Sequence, residues 1–175
     1  MIGLIVALTA FTQDVRAKIA VLIVQKTVET VHDHGKHSIM QEISENALEQ
    51  QVLSVFSRIF DKATTCGHDN CSINALREKC CESDASEDLI KKIDSLIEEY
   101  EATISKDVRN KKLAHFDYKS VMYGKPCYIS FASLAQLADD LSDTISAVSR
   151  EFMPGEICFP PMSELVDVLK KEHYK

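Results

Sequence analysis

The chain has 175 residues, of which 45% are hydrophobic and 27% are charged, so it can bury a core of its own and is not a disordered segment. Its net charge of −7 excludes a passive nucleic-acid coat, which would need a broad basic face, but is compatible with an enzyme that has one local basic site. Glycine (5) and proline (4) are scarce, which favours long helices. We expect one domain over residues 1–175, with a core at 10–150 and a C-terminal tail at 153–175.

The apolar start of the chain is too short to act as a membrane segment. Residues 1–8 lack the preceding basic residues of a signal peptide, and the next apolar stretch is interrupted by Arg16 and Lys18. Neither stretch approaches the roughly 20 apolar residues that span a bilayer. We therefore expect a cytoplasmic protein without membrane contact, in which the six cysteines are thiols rather than disulfides.

Helical periodicity dominates the first part of the chain. A first helix is predicted over residues 9–32, and the apolar residues before it can extend it. After a polar break at 32–37, apolar residues three and four positions apart predict a second helix over 38–61. Residues 63–70 are expected to form a loop.

Serines mark the starts of the remaining helices. Ser72 is the predicted N-cap of a short helix, and Ser86 opens a longer helix whose apolar stripe runs into Arg109. Helical periodicity is lost over 116–129, and Ser130 opens the last long helix.

A short amphipathic helix is predicted at 163–171, after the prolines of the tail. With the preceding helices it completes the predicted architecture. The chain is expected to be all-α, an up-and-down helical bundle of about four long helices plus two short ones.

The segment that follows the acidic helix carries the candidate chemistry. Arg109, Asn110 and His115 stand within seven residues of one another. Arginine can stabilise a crowded phosphate, asparagine can orient it, and histidine can exchange a proton near neutral pH. Together these residue types supply what cleavage of a phosphodiester without a metal ion or other cofactor would need. The same residues also fit an ordinary solvated helix end. Three neighbouring lysines are candidate RNA-binding residues that are equally typical of a solvated surface: Lys106, Lys111 and Lys112.

The spacing of Arg109 and His115 bears on assembly. In an unbroken helix, six residues would place their side chains roughly 120° apart and about 9 Å along the axis. They could not converge on one atom, so either the helix bends or a second copy supplies the missing partner. A two-fold homodimer would bring both pairs to one cleft.

Two other clusters contain the residue types of metal ligands. The first comprises Cys66, His68, Cys71, Cys80 and Cys81. It matches no common zinc-finger spacing, so loop thiols are the simpler interpretation. The second lies in an inter-helix turn: His32, His34 and His37. Three acidic residues of the last long helix are expected to lie on a solvated face: Asp139, Asp140 and Asp143.

The string Arg109-Asn110-Lys111-Lys112-Leu113-Ala114-His115 resembles the Arg-polar-x(4)-His signature of the HEPN superfamily (higher eukaryotes and prokaryotes nucleotide-binding). With the flanking Phe116 and Asp117, it is similar to the abortive-infection (AbiU2-like) branch. The segments 56–61 and 72–76 resemble the second helix and the following short helix of that branch. The resemblance covers roughly residues 10–150.

This resemblance implies a helical bundle that dimerises with its two motifs facing each other. Many such proteins are metal-independent RNases of phage defence or toxin–antitoxin systems, which can have a cognate antitoxin. Carried over, His115 would be the general base or acid, Arg109 would hold the phosphate, and Asn110 would orient it, with the ribose 2′-OH attacking to leave a cyclic phosphate. The alternative is a non-catalytic interaction or nucleotide-binding module, since other members have lost catalysis.

Overall fold

The computed structural model of the chain describes residues 1–32, 39–109 and 129–173. The elements of this part, in chain order, are α1 (Ile2–His32), α2 (Ile39–Ile59), β1 (Thr64–Thr65), β2 (His68–Asp69), α3 (Ile73–Glu82), α4 (Glu87–Thr103), α5 (Lys106–Arg109), α6 (Phe131–Phe152) and α7 (Met162–His173). Helices α1, α2, α4 and α6 are the four long ones, with 31, 21, 17 and 22 residues. The predicted all-α bundle is confirmed.

Helix α1 lies at the centre of the bundle. It packs against α2, α6 and α7, and α6 packs in turn against α4. The apolar residues before position 9 do extend the helix, because Ile5 and Leu8 are fully buried in the core. Within the described ranges, no helix is long and apolar enough to cross a membrane.

Serine caps fix the starts of three helices, as predicted. The Oγ atoms of Ser72, Ser86 and Ser130 each accept the backbone N–H three residues further on, at 3.2, 3.4 and 3.5 Å. Ser86 also donates its backbone N–H and its hydroxyl to the carboxylate of Glu151, at 2.9 and 3.0 Å. This contact ties the start of α4 to the end of α6.

The predicted loop at 63–70 contains a small β-hairpin, so that prediction is wrong in part. Thr64 pairs with Asp69 and Thr65 with His68. Cys66 and Gly67 form the turn with φ angles of 52° and 79°, the left-handed values that a two-residue hairpin turn favours. The strands have two exposed residues each, too few for an alternating pattern to indicate them from sequence.

A buried arginine joins three parts of the bundle. Arg16 on α1 is 3% exposed, and its guanidinium donates to Asp139 Oδ1 at 2.5 Å and to Ser142 Oγ at 2.7 Å on α6. It also donates to the carbonyl of Pro160 and lies 5.8 Å from the ring centroid of Phe159, a cation–π distance. The prediction of a purely solvated acidic face on α6 is therefore wrong for Asp139, because its carboxylate pairs with a buried charge.

Candidate functional site

The helix that leads to the candidate site breaks before reaching it. The apolar stripe of α4 was expected to run straight into Arg109, but α4 ends at Thr103 and Ile104 has φ −117° and ψ 75°. Ser105 Oγ then accepts the backbone N–H of Val108 at 3.4 Å at the start of α5. Ile104 and Val108 are both buried, so the stripe continues across the break and the sequence gives no sign of it.

Only some of the predicted site residues lie within the part of the chain that the structure describes. Arg109 is the last residue of α5, and its backbone is described. Lys106 is the first residue of α5 and is exposed. Four of the predicted residues lie outside the described residues: Asn110, Lys111, Lys112 and His115. The convergence of arginine and histidine therefore stays a prediction.

An open cavity of about 910 Å³ lies where α2, α3, α4 and α5 meet, and we call it the α2–α5 cavity. Its wall comprises residues from 54 to 63, at the end of α2 and just beyond it, with Asn74 and Glu78 of α3, Glu101 of α4 and Lys106 of α5. The volume is in the range of small-molecule and cofactor sites, so the cavity could accommodate a nucleotide-sized ligand.

Three cations line this cavity. Arg58 in the last turn of α2 and Lys62 just beyond it join Lys106, and all three are exposed. None of them lies within 4 Å of a carboxylate among the residues that the structure describes. Of these three cations, Lys106 alone is among the RNA-binding lysines predicted from the sequence, which were Lys106, Lys111 and Lys112, whereas Arg58 and Lys62 were missed. The signal was present, because Arg58 stands in the 56–61 segment that resembles the abortive-infection branch.

Ser57, another residue of the cavity wall, has a buried hydroxyl. Its Oγ atom has no hydrogen-bond partner in the described part of the chain. Most buried polar atoms in proteins are hydrogen-bonded, and an unsatisfied one is costly. A ligand or a water molecule in the cavity would satisfy this hydroxyl only after rotation about χ1 of Ser57 turns it towards the cavity.

The end of α2 is held in place from α3. Asn74 Nδ2 donates to the carbonyl oxygens of Phe60 and Asp61, at 3.2 and 2.9 Å, and so satisfies acceptors that the end of the helix leaves open. The Phe60 ring stacks on Tyr100 of α4, with centroids 4.1 Å apart and planes at 4°. These contacts fix the backbone that carries Arg58 relative to α3 and α4.

Three carboxylates balance the charge of the cavity. Asp61 accepts from the backbone N–H of Lys62 at 2.8 Å and from Asn70 Nδ2 at 3.5 Å, so its carboxylate is engaged in the local turn. Glu78 and Glu101 are exposed. The lining is therefore formally neutral, which is unlike an extended basic surface for nucleic acid.

The cysteine and histidine side chains form no metal-binding cluster in the described ranges, where no group of three or more His, Cys, Asp and Glu side chains is placed to bind a metal. Cys66 and Cys71 are exposed thiols, whereas Cys80 is buried. Burial raises the pKa of the Cys80 thiol to about 11, which makes it inert. His34 and His37 lie outside the described residues.

The helical bundle and the Arg-Asn-x(4)-His string of the sequence are together typical of the HEPN class of proteins. The family model HEPN_AbiU2, described as AbiU2, matches residues 4–164. The chain therefore belongs to the AbiU2 family of HEPN proteins, which confirms the resemblance seen in the sequence. Comparison with curated proteins and with solved structures gives no match.

Proposed function

We propose that this chain is a metal-independent endoribonuclease of a phage-defence or toxin–antitoxin system. The observation that carries the proposal is the Arg109–His115 string, which lies within the span matched by the HEPN family model. Its residue types supply charge stabilisation and proton transfer without a metal ion. A cognate antitoxin is the expected partner if the protein is a toxin.

The proposed roles follow from the chemistry of each side chain. His115 takes the proton of the ribose 2′-OH, whose oxygen then attacks the adjacent phosphorus. Arg109 stabilises the negative charge that develops on the phosphate, and Asn110 orients the same group. The bond to the 5′-oxygen breaks, that oxygen receives a proton from an imidazolium, and a 2′,3′-cyclic phosphate remains.

We further propose that the active site is composite and lies at the interface of a homodimer. The reason is the spacing of Arg109 and His115, which on a regular helix would point their side chains roughly 120° apart. A facing copy supplies the histidine that completes each site, so that Arg109 of one subunit acts with His115 of the other, and the imidazole that accepts the 2′-OH proton returns it to the leaving oxygen.

Cleavage of a mixed RNA pool in excess chelator tests the activity. The wild type should release 2′,3′-cyclic phosphate ends, and His115→Ala should lose this activity. His68→Ala is the matched control, because His68 is exposed on the hairpin and should be dispensable. If the folded wild type cleaves no RNA in the pool, or if His115→Ala cleaves as fast as the wild type, the proposed enzyme is wrong.

Mixing two inactive variants tests the composite site. Arg109→Ala and His115→Ala subunits, co-expressed, should form heterodimers that contain one intact site, with about a quarter of the wild-type activity for random pairing of two subunits. If both residues act from one chain, each subunit lacks an essential group and the mixture stays inactive.

The α2–α5 cavity gives specific support to the alternative, a nucleotide-binding module without catalysis. Its three cations and its volume suit a nucleotide whether or not the Arg109–His115 segment is active. A protein that binds RNA but does not cleave it in the chelator assay would establish this alternative.

A further inference from the structure

The three cations of the α2–α5 cavity are available to an anion. Arg58, Lys62 and Lys106 share the cavity with three carboxylates, yet none of these cations is ion-paired within the part of the chain that the structure describes. A phosphate that enters the cavity would find cationic donors that no described carboxylate occupies.

Ser57 provides a second, independent observation. Its hydroxyl is buried at the wall of the same cavity and has no partner in the described ranges. It stands directly before Arg58 in the sequence, so both groups belong to the last turns of α2. Rotation about χ1 would turn this hydroxyl from its shielded position into the cavity, where a phosphate oxygen accepts from it and removes the cost of leaving it unsatisfied.

Helix α5 connects the cavity to the backbone of Arg109, the first residue of the proposed catalytic string. Lys106 lines the cavity, and position 109 follows three residues later, about 60° around the helix axis and about 4.5 Å along it. Position 108 lies on the opposite side of α5, where Val108 is buried in the core. The backbone of Arg109 therefore lies on the same side of α5 as Lys106.

We propose that the α2–α5 cavity is a substrate subsite, which holds one nucleotide of single-stranded RNA next to the bond that is cleaved. Arg58, Lys62 and Lys106 bind its phosphate, and Ser57 donates a hydrogen bond to it. This inference rests on the proposed ribonuclease function. The neutral total charge of the lining limits the subsite to about one or two phosphates and makes it a positioning device rather than a general RNA-binding surface.

Binding of a non-cleavable RNA measures the subsite separately from catalysis. The probe is a fluorescein-labelled 2′-O-methyl RNA decamer of mixed sequence, whose blocked 2′-oxygen cannot attack, and the readout is anisotropy with the full chain. Arg58→Gln and Lys62→Gln should each weaken binding about tenfold or more, as expected for loss of one charged hydrogen bond. Each should also reduce the slope of log K against log salt by about 0.7, the value for one phosphate contact to a single strand.

Lys92→Gln is the matched control, because Lys92 is an exposed lysine of α4 that does not line the cavity. Removing it changes the net charge equally and should leave the affinity and the salt slope within error of wild type. If the two cavity variants bind no more weakly than Lys92→Gln, the subsite does not exist.

Ser57→Ala separates binding from stability. Removal of an unpartnered buried hydroxyl should leave the free energy of unfolding unchanged or raise it, whereas binding of the decamer should fall about threefold or more for the lost hydrogen bond. A variant that is destabilised but binds normally would show that the hydroxyl serves the fold and would overturn its assignment to the subsite.

The two proposals fail in different ways. If the wild type binds the decamer through Arg58 and Lys62 but cleaves no RNA, the proposed function is wrong and the cavity stands as an RNA-binding site. If the wild type cleaves RNA and the cavity variants keep its KM and kcat, the function stands and the subsite is wrong. A rise in KM without a fall in kcat supports both.

Discussion

Replacing Arg16 by methionine should destabilise the protein strongly although the residue is far in sequence from the candidate site. Its guanidinium is nearly inaccessible and donates to α6 and to the carbonyl of Pro160. Methionine keeps much of the volume and the apolar stem but removes every donor. The carbonyl of Pro160 and the carboxylate of Asp139 would then lose a charged partner.

The size of the expected loss of stability follows from the exposure of the two paired side chains, Arg16 and Asp139. Loss of one member of a buried ion pair typically costs 3–5 kcal/mol, and the Asp139 side chain is 38% exposed, so water can replace part of what it loses. We therefore expect a loss of about 3 kcal/mol, near the lower end of that range. For a chain of this size, that corresponds to a fall in Tm of about 6–12 °C.

Urea unfolding followed by far-UV circular dichroism measures this loss of stability. An unchanged m-value would show that the variant exposes as much surface on unfolding as the wild type does. Lys18→Met is the control, since Lys18 lies on the same helix and pairs with Asp14 near the surface, where such a pair contributes about 0.5 kcal/mol or less. If Arg16→Met unfolds within 1 kcal/mol of the wild type, the reasoning that this contact network joins α1, α6 and the tail is refuted.

Three further changes test local features of the bundle. Two effects raise the pKa of Glu99 above its usual 4.5: burial is the larger, and the nearby carboxyl group of Asp140 on α6 is the second. The ionised form of Glu99 therefore destabilises the native state. Glu99→Gln should therefore raise the free energy of unfolding by about 0.5 kcal/mol at pH 7 in urea melts, and the gain should vanish as the pH falls through the raised pKa and below 4.5. Cys80→Ser should leave the number of thiols that react rapidly with Ellman's reagent unchanged, whereas Cys81→Ser should lower it by one, because Cys80 is buried and Cys81 is exposed. Equal effects of the two substitutions would contradict the burial of Cys80. Ser130→Ala should lower the stability by about 1 kcal/mol through loss of the cap of α6, and an unchanged Tm would argue against that cap.

Features that depend on neighbouring residues could be predicted from the sequence. Ser72, Ser86 and Ser130 each accept an N–H three residues ahead, so the sequence around each serine carries the whole interaction. The buried stripe of α4 was likewise visible in its spacing, but the break after Thr103 was not, because Ile104 and Val108 remain buried on either side of it.

Features that depend on tertiary contact could not be predicted. Arg16 interrupts an apolar stretch in the sequence, and its partner Asp139 lies 123 residues away, so neither residue indicates the other. The cavity cations show the same difficulty at the candidate site. Arg58 and Lys62 belong to α2 and the turn beyond it, and only the packing of α2 with α3, α4 and α5 brings them to the same cavity as Lys106.

If the proposed RNA substrate is correct, this acidic protein must obtain its affinity for RNA from local contacts, and the salt dependence of binding measures this. The chain carries a net charge of −7, so its long-range field repels RNA, and contacts outside the subsite and Arg109 should add little. One or two phosphates in the subsite and the one held by Arg109, at about 0.7 each for single-stranded RNA, give a slope of log K against log salt of about −1.4 to −2. A slope of −6 or steeper would require many more phosphate contacts than the α2–α5 cavity can make, and would move the RNA-binding surface elsewhere on the protein. A slope near −2 that becomes shallower when Arg58 is replaced would instead localise nearly all of the electrostatic contribution to this cavity and Arg109.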